Sequence, residues 1–398
     1  MTQAPPLHMR RDVFDPTPEL REIRETDGVR KTVNAFGMTV YLVTRYEDIK
    51  EVLSDHERFS NTRPPDFVVP GAPVLSQEEQ ASARAGNLLG LDPPEHSRLR
   101  RMLTPEFTAR RMKRLEPRIA EIVTQQLDVM ESAGSPADLV AQFALPIPSL
   151  VICELLGVPY ADRADFQRRS ARQLDLSAPI PERLEVVRQG REYMAGLVAA
   201  ARRDPGEDML GMLVREHGSE LSDDELIGIA GLLLLAGHET TSNMLGLGTF
   251  ALLEHPGELR KLKDDPSLIE GAVEELLRYL SVVHSGVPRI ATRDTVLDGE
   301  PVVAGEVLIL SLPAANRDPR LGADLDRLDI DRAVTRHVAF GHGVHHCLGA
   351  ALARAELRVA LPALVRRFPT LALADPGAPV DFRSFAVVYA VRSLPVTW

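Results

Sequence analysis

The chain has 398 residues, of which 44% are apolar and 26% are charged, and this ordinary globular composition excludes extended disorder and fibrous repeats. A formal net charge of −11 argues against general nucleic-acid binding. The longest nearly continuous apolar run, Leu226 to Gly237, is shorter than the about 20 residues that a membrane-spanning helix needs. The first residues lack the apolar segment of a signal peptide. We therefore expect a cytoplasmic protein that binds neither nucleic acid nor membrane.

The periodicity of the chain predicts a mainly α-helical fold with small β-sheets. Helical spacing of apolar residues dominates from about residue 93 to 280, interrupted by turns rich in proline and glycine. Alternating or β-branched runs predict strands at 38–44, 302–303 and 307–310. No repeat and no long linker divides the chain, so we expect residues 1–398 to form a single domain.

Basic residues cluster at the start of this helical region. The cluster is interrupted by one acid, Glu106, and comprises Arg98, Arg100, Arg101, Arg110, Arg111, Lys113 and Arg114. Taken alone, such a run is typical of a solvated helix face.

Two helix starts carry the pattern of a capping box, in which a serine oxygen and a glutamate carboxylate bind backbone N–H groups reciprocally. They are Ser222 with Glu225, and Ser267 with Glu270. The first start predicts a helix to about Glu254, roughly 50 Å long at about 1.5 Å per residue. A helix of that length should cross the molecule with its middle buried.

Polar residues interrupt the apolar middle of this long helix in the run AGHETT. Gly237, Glu239, Thr240 and Thr241 follow a fully apolar stretch, where they should loosen or bulge the helix and open a pocket beside it. The alternative is a kink at which Glu239 merely reaches solvent. An acid beside an alcohol is what proton delivery to a bound oxidant requires.

A second acidic site follows in GAVEELLRYL. Glu275 stands three residues before Arg278, so that both side chains share one helix face and can form a charge-assisted contact. By itself this spacing is common on protein surfaces.

Cys347 occupies a loop that can fold tightly around its sulfur. Gly341, Gly343 and Gly349 give the backbone unusual freedom there. Helical spacing begins at Leu348, which places the cysteine just before a helix N-terminus, where N–H groups favour a thiolate.

Three roles suit Cys347. It could be a nucleophile with His345 or His346 as base, a zinc ligand together with His342 or one of those histidines, or the thiolate ligand of a haem iron. The other cysteine, Cys153, lies in an apolar helix and fits an inert buried thiol, and we expect both cysteines to be reduced.

Together, FGHGVHHCLG, AGHETT and Glu275-Leu276-Leu277-Arg278 resemble, in order and approximate spacing, the motifs of the soluble bacterial cytochrome P450 family, actinobacterial type. The resemblance covers essentially the whole chain. It implies the cytochrome P450 fold, with haem b held between the long central helix and the helix that follows the cysteine loop.

The resemblance assigns roles residue by residue. Cys347 would be the axial thiolate and metal ligand, and Glu239 and Thr240 would relay protons for dioxygen activation. Glu275 and Arg278 would hold the haem-binding core together, with Arg327 as a third member. The remaining cofactor-binding residues would be His96, Arg100, Ala236, Gly237, Arg289, Phe340, Gly341, His345 and Gly349, of which His96, Arg100, Arg289 and His345 would meet the haem propionates.

The resemblance implies a monooxygenase that hydroxylates or epoxidises a medium to large apolar molecule, such as a macrolide or other polyketide, a sterol-like compound or a terpenoid. Electrons would come from NAD(P)H through a reductase and a 2Fe-2S, 3Fe-4S or 4Fe-4S ferredoxin, and the enzyme would be a monomer. The basic cluster would then be a ferredoxin docking face. A peroxide-driven peroxygenase and a haem or gas sensor are the alternatives.

The substrate pocket implied by the family is mostly aliphatic. Residues 63–75 and the turn SAPIP would form mobile entrance segments. His284 would contact a substrate oxygen or face solvent. The expected lining residues are Leu88, Leu176, Leu233, Val283, Val287 and Val387.

Overall fold

A computed structural model describes residues 5–398, apart from residues 35, 65, 66, 68, 69, 72, 74, 75, 334 and 335. The predicted entrance segment 63–75 therefore lies partly outside the described residues. The helices are α1 (Pro18–Thr26), α2 (Tyr46–Ser54), α3 (Gln77–Arg84), α4 (Glu95–Leu103), α5 (Ala109–Ala133), α6 (Pro146–Leu156), α7 (Arg163–Leu174), α8 (Ile180–Arg203), α9 (Met209–His217), α10 (Asp223–Glu254), α11 (Pro256–Asp264), α12 (Ile269–Leu280), α13 (Leu312–Ala315) and α14 (Ala350–Arg367).

The strands are short and form small sheets. They are β1 (Arg11–Asp12), β2 (Asp15–Pro16), β3 (Val29–Val33), β4 (Thr39–Val43), β5 (Phe59–Ser60), β6 (Ala137–Asp138), β7 (Val287–Ala291), β8 (Thr295–Leu297), β9 (Glu300–Val302), β10 (Val307–Leu310), β11 (Ala372–Leu373) and β12 (Pro395–Thr397). The largest sheet has the order β3-β4-β10-β7-β5, in which β10 runs parallel to β4 and the other pairs are antiparallel. The predicted mainly α fold with small sheets is confirmed.

Helix α10 is the central helix. Its 32 residues begin at the predicted capping box, where the Ser222 hydroxyl accepts from the Glu225 N–H and the Glu225 carboxylate accepts from the Ser222 N–H. It packs against α6, α8 and α14, and its second half is almost entirely buried. No helix in the described ranges is long and apolar enough to cross a membrane.

The second predicted capping box is wrong. Helix α12 begins at Ile269 with no side-chain cap, because Ser267 lies in a preceding single turn of 3-10 helix. The Asp265 carboxylate accepts from both the N–H and the hydroxyl of Ser267. Ser267 is therefore fixed inside the 3-10 turn, and Leu268 rather than Ser267 occupies the N-cap position of α12.

The predicted bulge in α10 is also wrong, since the helix stays α-helical through AGHETT. Gly237 serves packing instead. A Cβ at this position would lie 2.6 Å from Cδ1 of Ile152, so the glycine allows α6 to approach α10 closely.

A hairpin near the C-terminus, residues 382–391 (hereafter the C-terminal hairpin), closes one side of the molecule. Phe382 pairs with Val391, and the Arg383 N–H donates to the Ala390 carbonyl. Further antiparallel bridges tie its tip to residues 175 and 283. The hairpin thereby joins the end of α7 to the segment that leads into β7.

Candidate functional site

Glu275 and Arg278 of α12 form a buried, bidentate ion pair. Arg278 donates from Nε to Oε2 at 2.7 Å and from Nη2 to Oε1 at 2.8 Å, and both side chains are at most 4% exposed. Arg278 also donates to the carbonyls of Asn316 and Leu325. These bonds attach α12 to the chain that leads into the cysteine loop.

The third member of this network is Arg332, and the prediction of Arg327 is wrong. Arg332 Nε lies 3.1 Å from Glu275 Oε1, and its side chain is largely buried. The Arg327 side chain is 68% exposed and pairs with Asp329, so that only its backbone carbonyl meets Arg278.

The cysteine loop folds tightly, as its glycines predict. Gly341 and Gly343 have φ angles of +70° and +69°, which favour glycine, and the Cys347 N–H donates to the Phe340 carbonyl at 2.9 Å. The Phe340 ring lies 4.5 Å from the guanidinium of Arg354. Cys347 is three residues before the start of α14.

The Cys347 sulfur can be reached by water, but protein atoms surround it closely. This burial raises the thiol pKa, while the Gly349 N–H and the charges of Arg100 and Arg354 lower it by less. The N–H groups at the helix end therefore favour the thiolate, as expected, but less strongly than burial opposes it. A bound metal cation would supply the charge that stabilises the anion.

Four basic side chains from distant parts of the chain gather on one side of this loop. The His96 and His345 rings are 4.1 Å apart, and Arg100 donates to the His346 carbonyl at 2.6 Å. The charges of His96, Arg289 and Arg100, added to burial, lower the pKa of His345 to about 3. The structure thus brings together the residues expected to meet the haem propionates.

These four side chains beside Cys347 need an anionic partner. Arg289 is 4% exposed and forms no ion pair with any described carboxylate, and its pKa is lowered to about 10 by burial. The buried Nδ1 of His96 and Nε2 of His345 have no hydrogen-bond partner among the described residues. A ligand with two carboxylates, as haem has, fits these unpaired groups beside Cys347.

On α10, Ala236 and Thr240 are accessible whereas Glu239 is buried. Ala236 is exposed among partly or fully buried neighbours, and the Thr240 hydroxyl donates to its carbonyl at 2.8 Å. Glu239 is 2% exposed and lies 3.3 Å from the Arg383 guanidinium of the C-terminal hairpin. The alternative in which Glu239 leaves the core for solvent is therefore wrong.

The alternative roles of Cys347 gain no support. No group of three or more His, Cys, Asp and Glu side chains in the described residues could hold a metal ion, as zinc would require. No hydrogen bond joins the Cys347 sulfur to a described histidine, as a nucleophile with a base would need.

Backbone hydrogen bonds bring three of the predicted pocket segments together. The Leu176 N–H donates to the Phe385 carbonyl, and the Val387 N–H donates to the Leu174 carbonyl at 2.8 Å. Val283 pairs with the next hairpin residue, 388. Leu88 is buried, whereas Leu176, Leu233, Val283, Val287 and Val387 are all partly exposed.

His284 does not face solvent. It is fully buried, its Nε2 lies 2.9 Å from the Ala386 carbonyl, and its ring packs on Tyr389. Burial, with the nearby charge of Arg11, lowers its pKa well below the usual value. The alternative in which His284 faces solvent is therefore wrong, whereas its contact with a substrate oxygen stays a prediction, since its Nδ1 has no hydrogen-bond partner among the described residues.

A cleft of about 820 Å³ lies on the surface between α7, the start of α8 and the C-terminal hairpin. It does not contain the cysteine loop or α10. Its lining includes Arg168, Arg169, Arg172, Arg383 and Arg392 around the apolar Phe382 and Phe385. The cleft is therefore separate from the site around Cys347, although Arg383 reaches from it to Glu239.

Sequence reasoning missed several functional contacts. Glu274, the neighbour of Glu275, accepts two bonds from Arg354 and lies 3.1 Å from Nε2 of His337, which ties α12 to α14 directly behind the cysteine loop. Arg354 follows Cys347 by seven residues on an apolar helix, and a cation there was a usable signal. Nothing in the sequence marks Arg383 as the partner of Glu239.

Comparison with known proteins gives one consistent assignment. The family model for Cytochrome P450 matches residues 16–173 and 197–382. Cytochrome P450 FAS1 of Rhodococcoides fascians is 50% identical over 393 residues, which cover 99% of this chain and 98% of that protein. Vitamin D3 dihydroxylase of Streptomyces griseolus is 42% identical over 383 residues, or 95% and 92% of the two chains.

A solved structure agrees with the sequence relatives. The crystal structure of CYP105P1 in complex with filipin I has a TM-score of 0.92 at 38% identity, and the match covers 100% of this chain and 99% of that one. The fold is the one that the sequence motifs predict, with the acid-alcohol pair on the central helix α10 and the cysteine loop before α14. The chain therefore belongs to the cytochrome P450 family and is a haem-dependent monooxygenase.

Proposed function

We propose that the enzyme inserts one oxygen atom into a medium to large apolar molecule, of polyketide, sterol-like or terpenoid character, by hydroxylation or epoxidation. The aliphatic side chains expected to line the pocket support an apolar substrate. Relatives named as a vitamin D3 dihydroxylase and crystallised with filipin I are consistent with bulky substrates.

The observation that carries this proposal is the group of four basic side chains beside Cys347. Cys347 would be the thiolate ligand of haem b, and Arg100, His96, Arg289 and His345 would bind its propionates. Haem ligated by a thiolate supplies the cleavage of dioxygen and the oxidation of a C–H or C=C bond. The exposed Ala236 on α10, with Phe340, Gly341 and Gly349 on the loop, would leave room for the flat macrocycle, whereas the missing side chain of Gly237 makes room for Ile152 of α6.

The chain's own part in the chemistry is to bind the substrate, limit water and move protons. The Glu239 carboxylate would take a proton from water and pass one to the Thr240 hydroxyl, which would hand its own proton to the oxidant site. The alcohol is already oriented by its bond to the Ala236 carbonyl. This reductive use of dioxygen is favoured over a peroxygenase because the acid-alcohol pair is intact.

The test of the ligand is spectroscopic. The purified, reduced protein should give the carbon monoxide spectrum of a haem thiolate, and Cys347→Ala should abolish it while circular dichroism stays unchanged. The matched control is Cys153→Ala, because this thiol is buried in α6 and should not affect the spectrum. An unaltered spectrum in Cys347→Ala would disprove the assignment.

The test of the relay is the coupling of reductant to product. Thr240→Ala should consume NAD(P)H while forming much less product, whereas Thr241→Ala, at the buried neighbouring position, should stay coupled. Equal coupling in both variants would remove Thr240 from the relay. A panel of apolar compounds, scored by the spin-state shift of the ferric haem and then by product analysis, would identify the substrate.

Ferredoxin would deliver the electrons from NAD(P)H, with its reductase, to a monomeric enzyme in the cytoplasm. Three members of the basic cluster are engaged within the chain: Arg98 pairs with Glu95 and Glu225, Arg100 reaches the cysteine loop, and Arg111 pairs with Glu106. The remaining members of the basic cluster are exposed and make no ion pair with a described residue. They are Arg101, Arg110, Lys113 and Arg114. These four form the proposed docking face.

A further inference from the structure

The Glu239 carboxylate is held away from Thr240 by contacts on its far side. Its Oε2 lies 3.3 Å from Nη2 of Arg383 and 3.5 Å from Nδ2 of Asn243, and its Oε1 lies 3.9 Å from Nε2 of His238. No hydrogen bond between Glu239 and Thr240 occurs in this part of the described chain, since Thr240 donates to the Ala236 carbonyl. A proton relay through these two residues therefore requires another side chain that controls the position of the Glu239 carboxylate.

Arg383 connects this buried carboxylate with solvent. Its side chain is 17% exposed and lines the surface cleft of about 820 Å³, while its guanidinium ends at the 3%-exposed Glu239 side chain. Water in the cleft can thus approach the carboxylate along the guanidinium. Burial of a carboxylate without a cation nearby would be costly, and Arg383 is the arginine that contacts Glu239.

The other arginines of the cleft do not reach α10. Arg392 pairs with Asp381, Arg168 with Asp165, and Arg172 with Glu182 and Asp175, and most of these carboxylates are themselves exposed. The fourth, Arg169, lies over the Tyr193 ring of α8. Among the arginines that line the cleft, Arg383 is the one whose described partner is a buried carboxylate.

Arg383 belongs to the same hairpin as a proposed pocket residue. Val387 is four residues further along the C-terminal hairpin, and its N–H and carbonyl bind the Leu174 carbonyl and the Ser285 N–H. A substrate that presses on Val387 therefore acts on the element that carries Arg383. This arrangement links pocket occupancy to the position of the Glu239 carboxylate.

We propose that Arg383 is a positioning residue, which holds Glu239 between Thr240 and the water of the surface cleft and so makes the cleft the entrance for protons. The proposal rests on the relay role of Glu239 and Thr240 proposed above. In each transfer the Glu239 carboxylate takes a proton from water in the cleft and then gives one to the Thr240 hydroxyl, which passes on its own proton, so that Glu239 returns to the carboxylate form.

The first test compares Arg383→Gln and Arg383→Lys with Arg392→Gln, a cleft arginine whose partner is the exposed Asp381. Arg383→Gln should lower the ratio of product to NAD(P)H consumed by roughly tenfold and should raise the solvent deuterium isotope effect. Arg383→Lys should restore most of the coupling, while Arg392→Gln should match the parent. Equal coupling and isotope effects in Arg383→Gln and Arg392→Gln would overturn the proposal.

The second test needs no turnover. In Arg383→Gln the buried Glu239 should take up a proton, because its cation is gone, and infrared spectra in H2O and D2O should show a new protonated carboxyl band. The band should be absent from Arg383→Lys and from the double variant Arg383→Gln, Glu239→Gln. Its absence from Arg383→Gln would show that the guanidinium does not control the carboxylate.

A third variant separates this proposal from the relay itself. If Glu239→Gln alone leaves coupling and the isotope effect unchanged, the relay role of Glu239 fails, and the positioning role fails with it. If Glu239→Gln uncouples the enzyme but Arg383→Gln does not, the relay stands and only the inference about Arg383 is wrong.

Discussion

The Glu275 carboxylate shows how much a single buried residue can organise. It accepts two bonds from Arg278, one from Arg332 and one from the Asp329 N–H at 3.0 Å. Arg278 is three residues further along α12, whereas the other two partners lie in a later loop. A carboxylate this deeply buried is stable only while its cations remain. Removing an arginine from this network should therefore lower the free energy of unfolding more, the more deeply that arginine is buried.

Removing one partner of this network should cost far more than removing the exposed arginine beside it. Arg332→Ala breaks a largely buried contact and leaves part of the Glu275 charge uncompensated, so we expect a loss of about 2 to 4 kcal/mol in the free energy of unfolding and weaker haem retention. Arg327→Ala should change stability by less than about 0.5 kcal/mol. Urea denaturation measures both, and equal losses would contradict this account.

The sequence predicts Glu275 and Arg278 because their spacing on one helix fixes their geometry. The choice between Arg327 and Arg332 could not be predicted, since both lie in a loop whose path decides which guanidinium turns inward. Glu239 and Arg383 are 144 residues apart in sequence. No local pattern joins them, and only the packing of the C-terminal hairpin on α10 brings them together.

At the scale of elements, the position of α10 depends on close backbone contacts with neighbouring segments at glycine residues. Near its N-terminus the Gly86 loop, which follows α3, packs so closely that a Cβ on Gly228 would lie 1.9 Å from the Ala85 carbonyl oxygen. A Cβ on Gly86 would lie 2.1 Å from the Glu225 carbonyl oxygen. Two residues later this loop carries Leu88 into the proposed pocket.

Gly228→Ala should therefore push the loop away from α10, because the clash is with backbone that cannot rotate aside. We expect substrate binding to weaken about tenfold or more, together with a loss of about 1 to 3 kcal/mol in stability. Gly231→Ala is the matched control, since its Cβ would meet nothing closer than Met194 at 3.9 Å. It should stabilise the helix by up to about 1 kcal/mol and leave the dissociation constant for substrate unchanged.

The two serine patterns show why elements are predicted more reliably than their ends. Ser222 and Ser267 have the same spacing to a glutamate, but only Ser222 caps its helix. Asp265 lies upstream of Ser267 and binds both of its donors, which starts a 3-10 turn and delays α12. The competing acid is visible in the sequence, whereas its advantage depends on the turn that the chain adopts there.

At the scale of the whole molecule, charge is distributed unevenly despite the net value of −11. The proposed docking face lies behind the haem site, because α5 packs along α14 and Arg100 bonds to the cysteine loop. An acidic ferredoxin would be attracted to this face, and association driven by charge is fast and sensitive to salt.

Charge reversal of this face should slow electron delivery. Arg110→Glu with Arg114→Glu should lower the association rate with ferredoxin by about tenfold or more at low salt and flatten its dependence on ionic strength. Arg203→Glu changes charge in the same sense on α8, which packs against α7, α9 and α10, and should have little effect. Unchanged rates in the first variant, measured by stopped-flow reduction, would exclude this docking face.

The stability of the molecule should also depend on pH through histidines that are buried as neutral rings. Burial lowers the pKa of His8 to about 4, although its bond to the Ser285 carbonyl opposes the shift, and burial also lowers the pKa of His284 well below its usual value. In the unfolded chain both rings take up protons near pH 6.5. Acid therefore favours the unfolded state: their contribution is fully present above about pH 6.5 and is lost as the pH falls towards 4.

For His8 alone this loss is on the order of 3 kcal/mol between pH 6.5 and 4. His8→Gln should lower stability little at pH 7.5 but should make the free energy of unfolding fall less steeply in acid. Urea titrations at intervals of half a pH unit measure these slopes, and parallel curves for His8→Gln and the parent would show that the buried ring is not the source. Because the other ionisable groups are the same in both proteins, the difference between the curves isolates the contribution of His8.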